Sequence, residues 1–207
     1  MAETVDFNRI IPKVVGVKRA GYALVNEDTA DKLSHGEVKA LTRCRKVALA
    51  PGYAEQELNS NDSVEEGGNE IASYTVTLDA SGMTQETEAE IYGHSIDENG
   101  LMVEKDGDQA PKLALLLELS MSKGNSKFVV LYCGSAKHPS EEAESKTKTG
   151  FTFGLPSIEF SFSKAMNGNL KSSVRTDSER YKPEIGNSWF TEVKYPTEVP
   201  TEVGAEG

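Results

Sequence analysis

The sequence predicts a mainly β (α+β) fold: two packed, curved sheets or a partly closed β-barrel, with one flanking α-helix and a long loop. Three observations predict it. Apolar and polar residues alternate in several short segments, most clearly over 72–78 and 158–162. A single stretch, 84–92, carries both a helix start and a helix stop. One further stretch, 51–69, is too polar and too long for an ordinary strand connection.

Residues 1–13 mix polar and apolar side chains without a period and read as an N-terminal arm; a domain over 14–194 follows. Val14, Val15 and Val17 predict a short strand, 18–21 a turn, and 22–25 a second strand. A long strand is expected over 37–49, around Arg43, Arg45 and Lys46. Val38 and Ala40 share one phase while Val47 and Leu49 share the other, which places a bulge between them. The 51–69 stretch, rich in Glu, Asn, Gly and Ser, reads as a loop that is either disordered or held by a partner. Its polar residues include Glu55, Glu57, Asn59, Asn61, Asp62, Glu65 and Glu66.

In the next strand Ala72, Tyr74, Val76 and Leu78 form one face, and Ser73, Thr75 and Thr77 form a hydroxyl ladder on the other. Thr84 can cap the helix, Glu86 and Glu88 suit its positive end, and Gly93 supplies the left-handed stop. Asp97-Glu98-Asn99-Gly100 reads as a hairpin turn, with a second turn at Asp106-Gly107-Asp108. Residues 112–122 and 127–135 form a hairpin across Gly124-Asn125, and Ser140 can start a helical turn. Phe151, Phe153 and Leu155 alternate, and Ile158, Phe160 and Phe162 alternate again one residue out of phase. Trp189, Phe190 and Val193 suggest a last short strand. The tandem Pro-Thr-Glu-Val repeat from Pro196 lies in an expected mobile tail, 195–207.

Composition narrows the function. The net charge is −11, but residues 51–110 hold fifteen acidic residues against one basic, Lys105, a net of −14. Residues 1–50 carry nine basic and six acidic, a net of +3. That balance argues against tight, phosphate-tracking nucleic-acid binding and suits a surface past which DNA slides. It also suits simple solubility. The longest apolar stretch, 113–119, is interrupted by Glu118 and cannot span a bilayer. The N-terminus lacks the layout of a secretory signal, so the chain reads as soluble and unexported, with Cys44 and Cys133 as reduced, inert thiols.

Motifs for chemistry are sparse. His35, His94 and His138 lack metal-type spacing and read as surface histidines. His94 with Ser95 and Asp97 lies too close in sequence for a triad, and no G-x-S-x-G is present. The Asp97, Glu98, Asp106 and Asp108 carboxylates lack the calcium-loop pattern. No nucleotide fingerprint occurs. The expectation is a non-enzyme without cofactor or metal.

Several segments in order resemble one family. They are 14–23 (VVGVKRAGYA) and 26–30 (NEDTA), then 86–94 (ETEAEIYGH) with 108–111 (DQAP). After these come 139–143 (PSEEA), 147–153 (TKTGFTF) and 155–158 (LPSI). Together they resemble the major tail proteins of siphophages that infect Gram-positive bacteria. The resemblance implies a tail-tube-like fold whose subunits close into six-membered rings that stack into a tube. That tube would contact the tape-measure protein and the tail terminator or baseplate proteins. It would sit in the virion after synthesis in the host cytoplasm, and conduct DNA without binding it or a membrane. It makes 51–69 a candidate inter-ring loop, with Glu55, Glu57, Asn59, Asn61, Asp62, Glu65 and Glu66 as its contact residues, and Asp79, Glu86, Glu88, Asp97 and Glu98 candidate lumen-facing acids. Another class is a β-sandwich binding or adhesion module on a virion, for which Trp189 is the candidate platform. A third, a hydrolase, would rest on His94.

Overall fold

Tyr74, Val76 and Leu78 are buried while Ser73, Thr75 and Thr77 stay partly accessible, and this alternation organises the molecule. The computed structural model of the chain describes residues 11–60, 63–138 and 157–197, and of 55–60 and 63–69 it describes the backbone. The expected arm before residue 11, the strand at 151–155, the turn at Ser140 and the tail from 198 lie outside these residues.

The strands are β1 Val14–Asp28, β2 Leu33–His35, β3 Lys39–Ala40, β4 Cys44–Ser60 and β5 Ser63–Ala80. Helix α1, Gln85–Tyr92, follows. Then come β6 Ser95–Ile96, β7 Met102–Val103, β8 Leu113–Met121, β9 Ser126–Lys137, β10 Ser157–Ser163, β11 Lys171–Arg175 and helix α2 Pro183–Asn187. The fold is mainly β. One large antiparallel sheet runs β2-β1-β8-β9-β10-β5-β4, with β11 on β9 and β3 on β1. β1 and β4 approach each other without a ladder between them, so the sheet curls but does not close. Two separate packed sheets, one of the expected arrangements, are not what forms.

β8 explains the layering. Leu113, Leu115, Leu117 and Leu119 point into the curl, where they meet Tyr22, Val76, Leu78, Phe160, Phe162 and the Ile91 and Tyr92 side chains of α1. Ala114 and Leu116 point the other way, into a second cluster with Phe128, Val130, Tyr132, Trp189 and Val193. A strand buried on both faces reads as an unbroken apolar run rather than an alternation. Each fully buried Leu or Phe contributes about 1.5–3 kcal/mol, so these two clusters hold the sheet's curvature. Gly134 is needed for close approach, because a Cβ there would stand 2.4 Å from the Phe162 ring.

Several expectations hold. α1 is capped by Thr84, whose side chain accepts from the Thr87 N–H, and ends at Gly93 with φ 79°. The Asp97–Gly100 turn joins β6 to β7, and β8 pairs with β9. Others are corrected. The strands at 14–17 and 22–25 are one strand, β1; the expected turn at 18–21 is absorbed by register shifts at Val14/Gly16 and Val17/Arg19. The strand at 37–49 is broken at 41–43, where the Leu41 N–H bonds the Ala20 carbonyl, and the irregularity falls between Cys44 and Lys46. Trp189 and Phe190 lie in turns after α2, not in a strand.

The largest correction concerns the expected loop. Residues 51–60 and 63–69 belong to β4 and β5, paired from Cys44↔Ala80 out to Ser60↔Ser63. Polarity is a poor guide here, because a two-stranded ribbon satisfies its backbone by its own ladder and needs no apolar face to do so.

Candidate functional site

β10 pairs with Ser73–Asp79 of β5, and beyond that point, among the described residues, β4 and β5 pair only with each other. From Tyr53↔Ile71 outward the ladder continues to Ser60↔Ser63, about 25 Å of two-stranded ribbon. The inter-ring candidates sit on this ribbon. Glu55 faces Asn69, Glu57 faces Gly67, Glu66 faces Leu58, and Asn59 faces Val64. Glu65 lies at the register shift between Leu58 and Asn59; Asn61 and Asp62 are outside the described residues. Tyr53 and Ile71, at the ribbon's root, are both exposed apolar side chains. An isolated two-stranded ribbon is at best marginally stable in water.

The outward face of the neighbouring strands is a second surface. Ser73, Thr75, Thr77 and Asp79 lie between Gly52, Ala50, Ala48 and Lys46 of β4 and Ser163, Ser161, Glu159 and Ser157 of β10. Ser135 and Lys137 of β9 extend it. Its charges cancel. Lys46 stands across from Asp79, and Lys137 is ion-paired with Glu159. What remains is a stripe of small hydroxyl and methyl groups.

The candidate lumen acids lie on three elements. Asp79 is on this outward face, with the Ser157 hydroxyl 3.5 Å away. Glu86 and Glu88 are in the first turn of α1, and Asp97 and Glu98 are in the exposed β6–β7 turn. Among the described residues no hydrogen bond or ion pair joins the three groups. Asp97 braces its own turn. It accepts from the N–H of Leu101 and of Asn99, each 2.8 Å away, which holds its carboxyl below the usual range.

Two histidines depart from the surface reading. The His94 ring is buried between the Asp108 carboxylate, 3.2 Å from Nδ1, and the Glu104 carboxylate, 3.5 Å from Nε2. It also lies against the rings of Tyr92 and His138. Its partners are therefore neither Ser95 nor Asp97. His35 is half-buried, bonded to the Tyr195 hydroxyl at 2.6 Å and the Tyr132 carbonyl at 2.8 Å, and burial depresses its pKa. Tyr195, the first residue of the expected tail, is thus seated on the domain. Both thiols are pushed up by burial, Cys44 to about 11.

Trp189 is 3% exposed and packs on Phe128 with ring centroids 5.3 Å apart, so it presents no platform for a glycan. Among the described residues no helix is long and apolar enough to cross a membrane, and no group of three or more His, Cys, Asp or Glu could hold a metal ion. No protein-family model matches the chain, and comparison with curated proteins returns no match.

Proposed function

We propose that this chain is the subunit of a phage tail tube, assembling through copies of itself into rings that stack and enclose a path for DNA. The observation that carries the reading is the β4–β5 ribbon, which leaves the body of the sheet with no partner on either side among the described residues. Such an element is stabilised when a second copy packs on it or pairs with its edge. The free edge of β4, with Pro51 in it, runs the length of the ribbon and is the kind of edge that adds a strand or is kept from adding a wrong one.

The hydroxyl face fits a tube wall: Lys46 stands across from Asp79 and Lys137 is paired with Glu159, so these charges sum to zero and add no net attraction for phosphate. Glu86, Glu88, Asp97 and Glu98 would add repulsion near the path. Ring size, taken as six, and contacts with tape-measure, terminator or baseplate proteins follow the sequence resemblance, as does placement in the virion tail. No residue is asked to react.

Replacing 54–70 by a two-residue hairpin turn tests the reading. The variant should keep its fold, read by circular dichroism and melting, and lose concentration-dependent assembly in sedimentation velocity. Assembly at the wild-type concentration would refute it.

A further inference from the structure

A groove of about 900 Å³ opens where β1, the β3–β4 connection and the approach to α1 meet. Sites for small ligands run from about 300 to 1,000 Å³ and are mostly apolar, with a few placed polar groups. This groove has that character. Val38, Ala40, Leu41, Met83 and Phe190 give it apolar wall, and its rim carries Lys18, Arg19, Lys39 and Arg43. None of its described lining residues is acidic. In a chain of net charge −11, four cations around one apolar hollow call for an explanation.

Most of the polar groups there are already committed to the fold. Lys18 and Arg19 hold Glu118, and Lys39 holds Glu90. The Arg19 guanidinium also lies 4.6 Å from the Phe190 ring centre. The Thr42 hydroxyl donates to the Gly82 carbonyl, and the Thr84 hydroxyl caps α1. Arg43 is different. Its carbonyl accepts from the Ser81 N–H at 2.8 Å, which fixes its backbone at the groove. Its side chain is exposed and has no ion pair or hydrogen bond among the described residues. With Glu90 and Glu118 counted against the four cations, the groove keeps a net of +2.

We infer that this groove binds a small amphipathic carboxylate, its apolar body against Val38, Met83 and Phe190 and its head on the Arg43 guanidinium. A carboxylate suits that head because a guanidinium offers two parallel N–H donors, and one uncommitted cation matches one negative charge. A doubly charged phosphate would have to draw Lys39 off Glu90 or Arg19 off Glu118, and Glu118 is buried. Occupancy joins β1 to the residue that leads into β4, across the gap where those two strands are not paired. A ligand bound by the folded chain alone raises its stability by mass action. The site is independent of self-assembly and involves no chemical step.

The test uses the full chain below its assembly concentration, with decanoate as the probe. Isothermal titration calorimetry should give one saturable site with a Kd below about 100 μM, and decanoate should raise the melting temperature. Arg43→Gln should weaken binding at least tenfold, and Arg43→Lys should weaken it by less. Ala40→Trp, which fills the groove from an exposed position, should abolish binding. Arg43 and Ala40 are both exposed, so neither change opens the core, and circular dichroism confirms that each variant is folded. Acetate, a head without a body, and decanol, a body without a charge, should each bind at least tenfold more weakly than decanoate. Decanoate binding that is absent, or unmoved in both Arg43→Gln and Ala40→Trp, overturns the site. Decanol binding as tightly as decanoate overturns the part given to Arg43, and tighter binding of decyl phosphate overturns the carboxylate head.

Discussion

Arg19→Ala is the sharpest probe of what holds β1 to β8. Glu118 is the one charged residue in the described core, 2% exposed. Its Oε1 accepts from Lys18 Nζ at 2.8 Å and the Ser126 hydroxyl at 3.2 Å, and its Oε2 accepts from Arg19 Nε at 2.6 Å. Burial pushes this carboxyl up, but the Lys18 and Arg19 contacts together outweigh it and hold it below the usual range. Removing Arg19 strips Oε2 of its donor. Breaking a buried pair in this way costs about 3–5 kcal/mol when nothing replaces the lost partner. Arg19 is 54% exposed, so water enters the space it leaves and the loss is nearer 2 kcal/mol. The Phe190 contact adds about 0.5–1 kcal/mol, for a total of about 3 kcal/mol near neutral pH.

Glu118→Gln should cost less, about 1 kcal/mol, because the half-exposed cations return to water and the amide keeps part of the bonding. The two variants also differ in pH dependence. In the wild type the depressed Glu118 carboxyl contributes stability that is present above its unfolded pKa of about 4.3 and lost as pH falls through its folded value. Arg19→Ala removes part of what holds the carboxyl down, and it moves up from its wild-type value. Its deficit then shrinks as pH falls toward about 4 and protonation removes the buried charge. Urea unfolding at several pH values, below the assembly concentration, reads both. A Glu118→Gln loss larger than that of Arg19→Ala, or an Arg19→Ala deficit that does not change with pH, would refute this account.

Other outcomes follow from single contacts. Gly134→Ala puts a methyl 2.4 Å from the Phe162 ring and 2.6 Å from the Ser161 carbonyl, and should cost about 1–3 kcal/mol, read as a lower urea midpoint. Thr84→Ala removes the α1 cap and should cost about 1 kcal/mol by the same assay, with the Gly93 stop unaffected. Burial depresses the His35 imidazole, so the unfolded state binds more protons between its folded pKa and about 6.5. Stability should therefore rise with pH through that window, and His35→Asn should flatten the slope.

How much of the structure is legible in the sequence depends on how local its cause is. α1 is legible because Thr84 and Gly93 act within one turn of the helix. The β8–β9 hairpin and the two faces of β5 are legible because their patterns repeat within a strand. β1 splits in two on sequence because Lys18 and Arg19 look like a turn, and their partner Glu118 is about a hundred residues away. The burial of His94 is hidden for the same reason, its carboxylates being Glu104 and Asp108 rather than a neighbour. β11 has no strong pattern, since Lys171–Arg175 alternates weakly. α2 does carry a signal, Pro183 at its first turn followed by Glu184, but the helix is too short to add a period to it. The ribbon looks like a loop because its residues resemble loop residues; what distinguishes it is register between two segments, which no single stretch of sequence carries.

The central claim is that copies of this chain assemble through the ribbon, and electron microscopy of the concentrated full chain tests it most directly. Rings or stacked tubes with a central channel, absent from the ribbon-shortened variant, are the predicted result. Isolated particles of monomer size at every concentration, in both the wild type and the variant, would contradict it.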